Sequence, residues 1–158
     1  MFILYGPPGV GKSTLGKRLA QKLEIPFFDI DELIEAQSNQ LRHELWQKDP
    51  IYYRILERKV VKQLPSFPSI IAVGGGTVLK RQNVIELKKR GQLIYMHCSL
   101  KTLEERFNQT KRAMQVNLSE LLMQRNPIYE TLSIHKLDAE KTLEEQVAWA
   151  INLATSLG

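Results

Sequence analysis

Gly6-Pro7-Pro8-Gly9-Val10-Gly11-Lys12-Ser13-Thr14 lies between a short apolar segment, Met1–Tyr5, and an amphipathic one that begins at Lys12. Its first eight residues fit the spacing G-x-x-x-x-G-K-[ST]. Glycines in such a loop let the backbone curl until successive N–H groups point inward at phosphate oxygens. A helix that starts on the loop adds the positive end of its dipole. Lys12 is then placed to reach the β- and γ-phosphates of a nucleotide, and the Ser13 hydroxyl to ligate Mg²⁺. A Gly-rich turn can arise by chance, but here the order is strand, loop, helix, which the chemistry requires. Gly9, Val10, Gly11, Lys12, Ser13 and Thr14 are therefore expected to bind ATP, with Lys12 also assisting the chemistry.

A magnesium site of this kind needs a carboxylate near the hydroxyl. The apolar run Ser69–Val73 ends in Gly74 and supplies none. Asp29-Ile30-Asp31 closes the second short apolar run, and residues i and i+2 of a strand face one side. One of the two can support the metal through water, and the other can accept a proton from an attacking hydroxyl. The competing reading is that Asp31 caps a helix beginning at Glu32.

Other groups suit an anionic second substrate. Arg54 and Glu57 stand at i and i+3 on one helix, either as an exposed pair of little worth or as an Arg held to grip a carboxylate bidentately. Gly74-Gly75-Gly76 is either a plain turn or a place where a ligand meets bare backbone. Arg106, Lys111 and Arg112 surround the aperiodic stretch 109–117, a solvated loop or a lid over the phosphates. Arg125 either complements a helix dipole or makes a second carboxylate clamp. Tyr129, Trp46 and Trp149 read as packing residues, and His43, His97 and His135 lack metal-ligand spacing.

The elements that must position these groups alternate. Strands are expected at Met1–Tyr5, Phe27–Ile30, Ser69–Val73, Leu93–Cys98 and Ile134–Asp138. Helices are expected at Lys12–Leu23, Glu32–Gln37, Leu41–Trp46, Ile51–Leu64 with Pro50 in its first turn, Lys80–Arg90 closed by Gly91, and Leu100–Asn108. Leu118–Gln124 is a further helix, Pro127 starts another, and Thr142–Leu157 closes the chain with Thr142 and Glu145 as a capping box. Such alternation implies a parallel sheet covered on both faces, with ligands at the carboxyl ends of its strands.

Composition sets the outer limits. With 158 residues, 43% hydrophobic and 25% charged, the chain fits one soluble domain. The formal charge of +5 could suit nucleic acid, an acidic membrane or an anionic small substrate, or be a plain solubility surplus; its Lys and Arg are scattered, which argues against a basic tail. Cys98 is the one cysteine, so no internal disulfide forms, and its apolar run suggests a buried thiol. No segment has the length of a signal peptide or a membrane span. A cytoplasmic enzyme, with neither membrane nor nucleic acid as partner, is the expectation.

Taken together, the motifs resemble the shikimate kinase family over nearly the whole chain. The matches are Gly6–Thr14, Asp29-Ile30-Asp31, Tyr53-Arg54-Ile55-Leu56-Glu57 in place of F-R-x-x-E, Gly74-Gly75-Gly76, Arg112, and Arg125-Asn126-Pro127-Ile128-Tyr129, similar to R-x-P-L-Y. The resemblance implies a P-loop kinase fold, three layers α/β/α with a five-stranded parallel sheet. It implies one kinase domain over 1–158, with a lid at about 109–117 and an acid-binding helical region at about 31–64. It implies transfer of the ATP γ-phosphate to the 3-hydroxyl of shikimate, in aromatic amino-acid biosynthesis, by a monomer. Asp31 would bind the hydroxyl and act as base; Arg54, Gly75 and Arg125 would hold the acid; Ser13 would bind Mg²⁺ with Asp29 behind it through water; Arg112 would close over ATP. Departures are Gly6-Pro7-Pro8-Gly9 for G-F-M-G or G-L-x-G, Arg112-Ala113-Met114-Gln115 for R-P-L-L, and Val73 for Thr or Ser. A kinase of another hydroxy acid such as gluconate, or a nucleotide-binding module without an acceptor, are the alternatives.

Overall fold

A computed structural model of the chain describes residues 1–109 and 117–158. The expected lid with Arg112 falls largely on the remaining residues and lies outside the described ones.

Five strands form one parallel sheet: β1 (Phe2–Tyr5), β2 (Phe27–Asp29), β3 (Ile70–Ala72), β4 (Gln92–His97) and β5 (Lys136–Asp138), in the order β2-β3-β1-β4-β5. Period-two alternation sorts β1 onto two faces. Ile3 and Tyr5 enter one core, with Ile71, Val73, Leu93 and Tyr95. Phe2 and Leu4 enter the other, with Ile70, Ile94, Met96 and Leu137. All four β1 side chains are buried, which is why this segment reads as continuously apolar rather than alternating.

Helices cover both faces. On the first lie α2 (Ile30–Ser38), α3 (Arg42–Lys48), α4 (Pro50–Gln63) and α5 (Arg81–Arg90), through Ile34, Leu45, Val60, Val61 and Leu87. On the second lie α1 (Lys12–Leu23), α6 (Leu100–Gln109) and α8 (Leu143–Leu157), through Leu15, Leu19, Leu103, Phe107 and Val147. The helix α7 (Leu118–Leu132) serves both, sending Leu122 to the second core and Tyr129 to the first. The chain leaves β1 toward α1 on one face and β3 toward α5 on the other. Adjacent strands whose exits diverge open a crevice at their carboxyl ends, and the phosphate loop and the triple glycine flank it.

Several local expectations hold: Pro50 opens α4, Gly91 ends α5 with its N–H on Leu87 O, and Thr142 with Glu145 forms a full capping box on α8. Others need correction. The helix α7 runs unbroken through Pro127, where two helices were expected. The proline removes one backbone donor, and buried anchors on either side, Leu118 and Leu122 before it and Tyr129 after it, hold the turns in line. Trp46 is 44% exposed rather than a core residue, because its ring covers Arg54. Cys98 is only half-buried. Among the described residues no helix is long and apolar enough to cross a membrane.

Candidate active site

The phosphate loop has the backbone its sequence demands. Gly11 caps α1 at φ 104° with no side-chain cap, and the first turn carries no acidic residue. The N-terminal amides of α1 and its dipole are therefore not neutralised from within the helix, the arrangement that binds anions. A side chain at φ 104° would be strained. Lys12 lies along the loop, its Nζ donating to Gly6 O and Pro7 O at 2.9 Å each. Val10 turns its side chain into the core, 1% exposed, while Thr14 faces solvent. Arg106 braces the loop from behind, donating to Val10 O and Ala139 O at 2.7 Å each.

The two aspartates face one crevice, but the capping role falls to Asp29 rather than Asp31. Asp29, nearly buried, is the N-cap of α2: its Oδ1 accepts from the Asp31 N–H at 2.9 Å. Its Oδ2 accepts from the Ser13 hydroxyl at 2.5 Å. Asp31 is thus not the cap. It sits in the first turn of α2 with its side chain free to face the crevice, where Oδ2 accepts from Arg42 Nη1 at 2.7 Å and Oδ1 from the Tyr53 hydroxyl at 2.9 Å. Burial, and after it the Asp31 carboxylate, push the Tyr53 hydroxyl far above the ordinary tyrosine range, so it is a neutral donor at any working pH.

The triple glycine is where the charged groups meet. A Cβ built on Gly74 would lie 3.0 Å from Asp31 Oδ1, one on Gly75 3.1 Å from Arg125 Nη1 and 3.1 Å from Pro8 Cδ, and one on Gly76 2.3 Å from Arg54 Nη2. Each glycine makes room for a different group, so the segment is more than a turn. Arg54 is pinned: Nη1 donates to Glu57 Oε1 at 2.7 Å, and the guanidinium lies 4.7 Å from the Trp46 ring centre and 5.5 Å from that of Tyr53. Glu57 is 1% exposed and takes a second bond from the Thr77 hydroxyl at 2.7 Å. The exposed, low-value ion pair is therefore ruled out. Tyr129 anchors the same segment. It is fully buried, and its hydroxyl donates to Gly75 O at 2.5 Å, while Tyr5 donates to Tyr129 O at 2.7 Å.

The structure brings together Lys12, Ser13, Asp29, Asp31, Arg54, Gly75 and Arg125 around one crevice; Arg112 lies outside the described residues. Sequence reasoning missed Arg42, Tyr53, Trp46 and Thr77. For Tyr53 a signal existed, a hydroxyl on the ring that precedes the pinned Arg. Arg42 reaches Asp31 from a separate helix and carries no periodic mark. Among the described residues no cluster of His, Cys, Asp and Glu is large enough to hold a metal alone. The Ser13–Asp29 oxygens instead form a partial, hard-oxygen set of the kind that binds Mg²⁺ together with phosphates and water.

A parallel sheet with a phosphate-binding loop after its first strand, a carboxylate pair after the second and an arginine-lined glycine segment after the third defines a P-loop kinase of a small acidic molecule. Comparison with known proteins narrows the class. The family model described as Shikimate kinase matches residues 8–154. The shikimate kinase of Thermodesulfovibrio yellowstonii is 34% identical, over 92% of this chain and 89% of that protein. The structure of the Acinetobacter baumannii shikimate kinase in complex with shikimate superposes with a TM-score of 0.87 at 26% identity, covering 98% of this chain and 92% of that one. A gluconokinase from Sinorhizobium meliloti shares the fold alone, with a TM-score of 0.65 at 19% identity over 99% and 94% of the two chains. The chain belongs to the shikimate kinase family and is an ATP-dependent kinase.

Proposed function

We propose that the protein transfers the γ-phosphate of ATP to the 3-hydroxyl of shikimate. The observation that carries this reading is the convergence of Asp31, Arg125 and Arg54 on Gly74-Gly75-Gly76, beside the loop that cradles phosphates. Two guanidinium groups suit a carboxylate, and a carboxylate oxygen beside them suits a hydroxyl on the same molecule.

In this reading Gly9–Thr14 bind the triphosphate, with the Lys12 ammonium lying along the loop toward the β- and γ-phosphates. Ser13 and Asp29 would hold Mg²⁺, Asp29 from behind Ser13, and the ion would screen the phosphate charge that develops in transfer. Arg54, Arg125 and the Gly75 backbone fix the acid; Arg112, expected at the nucleotide, lies outside the described residues. Asp31 accepts the hydroxyl proton as that oxygen bonds to the γ-phosphorus and the bond to the β-phosphate oxygen breaks, releasing ADP. Residues 1–158 work as one kinase domain, a cytoplasmic monomer that uses ATP and a small anionic hydroxy acid and no nucleic acid or membrane.

A coupled ADP-release assay with shikimate, with gluconate and with no acceptor tests the reading. Turnover is expected with shikimate alone. Release that does not respond to either acid would overturn it.

A further inference from the structure

The carboxylate assigned to the acceptor hydroxyl is itself held from two sides by groups that touch neither the phosphate loop nor the triple glycine through that contact. Tyr53 of α4 donates to Asp31 Oδ1 and Arg42 of α3 donates to Asp31 Oδ2. We propose that Tyr53 and Arg42 are positioning residues that fix the Asp31 carboxylate for the acceptor hydroxyl. The proposal rests on the role of Asp31 given above.

A carboxylate offers about four lone-pair sites. The two donors use one on each oxygen and leave the others for the substrate. They therefore set orientation without blocking the group. Orientation matters in phosphoryl transfer, where the protein acts almost wholly by positioning and charge. Asp31 needs such help because it stands in the first turn of α2, and among the described residues these are the two side chains that donate to it.

The two donors have different character. The Tyr53 residue is 7% exposed, and its ring meets Trp46 edge-on at 5.4 Å and 89°. Its hydroxyl cannot leave Asp31 without moving α4. The Arg42 side chain is 41% exposed and reaches in from the end of a short helix, so it adds charge and a bond at 2.7 Å rather than rigidity. The resembled motif carries Phe where Tyr53 stands, so Tyr53→Phe removes one hydroxyl from a ring whose shape the site accepts.

The test is a kinetic comparison of Tyr53→Phe, Arg42→Gln and Arg42→Lys with the parent, each varied in shikimate and in ATP. Tyr53→Phe and Arg42→Gln are expected to lower kcat about tenfold, the rate equivalent of one hydrogen bond to a charged group. The KM for the acid should stay within about twofold, because its carboxylate is held elsewhere. Arg42→Lys should restore most of the loss, and the Tm of Tyr53→Phe should match the parent. Parent-like kcat in both Tyr53→Phe and Arg42→Gln, or a loss confined to the acid KM, would overturn the proposal. Asp31→Asn is measured in parallel. If it abolishes turnover while Tyr53→Phe and Arg42→Gln remain parent-like, only the positioning role fails. If Asp31→Asn turns over normally, the role of Asp31 fails and the positioning role with it.

Discussion

Replacing Gly76 by Ala asks whether Arg54 is held where an acid carboxylate needs it. The added Cβ would fall 2.3 Å from Arg54 Nη2 and 3.0 Å from its Cζ, against the 3.4 Å at which ordinary contact begins. The guanidinium must then retreat by about 1 Å. It has little freedom to do so, because Nη1 is bonded to the buried Glu57 and the Trp46 ring lies over the group. Retreat tilts the fork or breaks one of these contacts. The backbone at Gly76 asks nothing of a glycine: φ −97° and ψ −7° are open to any residue. Alanine there restricts the unfolded chain and is worth about 0.4–1 kcal/mol of stability.

Stability and binding should therefore move apart. A misplacement of about 1 Å in a positioning group costs up to about a hundredfold, and a lost bond to a charged group costs at least about tenfold. The KM for the acid is expected to rise about tenfold to a hundredfold, with kcat within about threefold, since in the proposed reading Arg54 grips a part of the acid remote from the reacting oxygen. The KM for ATP should not change, and Tm should stay within a few degrees of the parent, the gain from the stiffer unfolded chain offsetting part of the strain on the Arg54–Glu57 contact. The coupled ADP-release assay and a thermal melt read all four quantities. An unchanged acid KM would refute the placement of Arg54, and a lowered Tm with both KM values raised would refute the claim that the clash is local.

Glu57→Gln keeps the shape of a 1% exposed side chain while taking the charge from Arg54 and altering the acceptor for Thr77; a loss of about 2 kcal/mol in denaturant unfolding is expected, together with a raised acid KM. Cys98 should react slowly with neutral alkylating reagents, because burial pushes its thiol from 9.0 up to about 11, against the opposing pull of Arg106. At pH 8 mass spectrometry should show alkylation slower than for an open thiol by roughly two orders of magnitude. Since the folded thiol ionises above the unfolded one, its stabilising contribution is whole below pH 9 and fades between pH 9 and about 11.

What could be read in advance was local. The phosphate loop is one contiguous run, and Pro50, Gly91 and the Thr142–Glu145 box mark helix ends by their own backbone needs. The five strands emerged from apolar runs, their ends shifting by a residue or two. The carboxylate pair was legible as a pair, but the division of labour was not. Whether Asp29 or Asp31 caps α2 depends on where the helix begins, and it begins at Ile30. The worth of Arg54–Glu57 was likewise beyond spacing, since it turns on the burial of Glu57 and on its bond from Thr77. Arg42 reaches Asp31 only because α3 folds back over α2, a result of packing between helices rather than of any pattern within one.

The Pro7-Pro8 pair shows what the loop gains from its unusual residues. A Cβ on Gly75 would meet Pro8 Cδ at 3.1 Å and Arg125 Nη1 at 3.1 Å, and the carbonyl of the same Gly75 accepts from Tyr129. The phosphate loop thus lies close against the triple-glycine segment, through a ring whose φ is fixed. Lys12 ties the carbonyls of Gly6 and Pro7 just before that ring in the chain. Transfer between two bound molecules depends on the distance between them, and small errors there are costly. A loop stiffened at Pro8 and packed closely against Gly75 would hold that distance steady, so in the proposed reading its stiffness serves the alignment of the two substrates as well as phosphate binding.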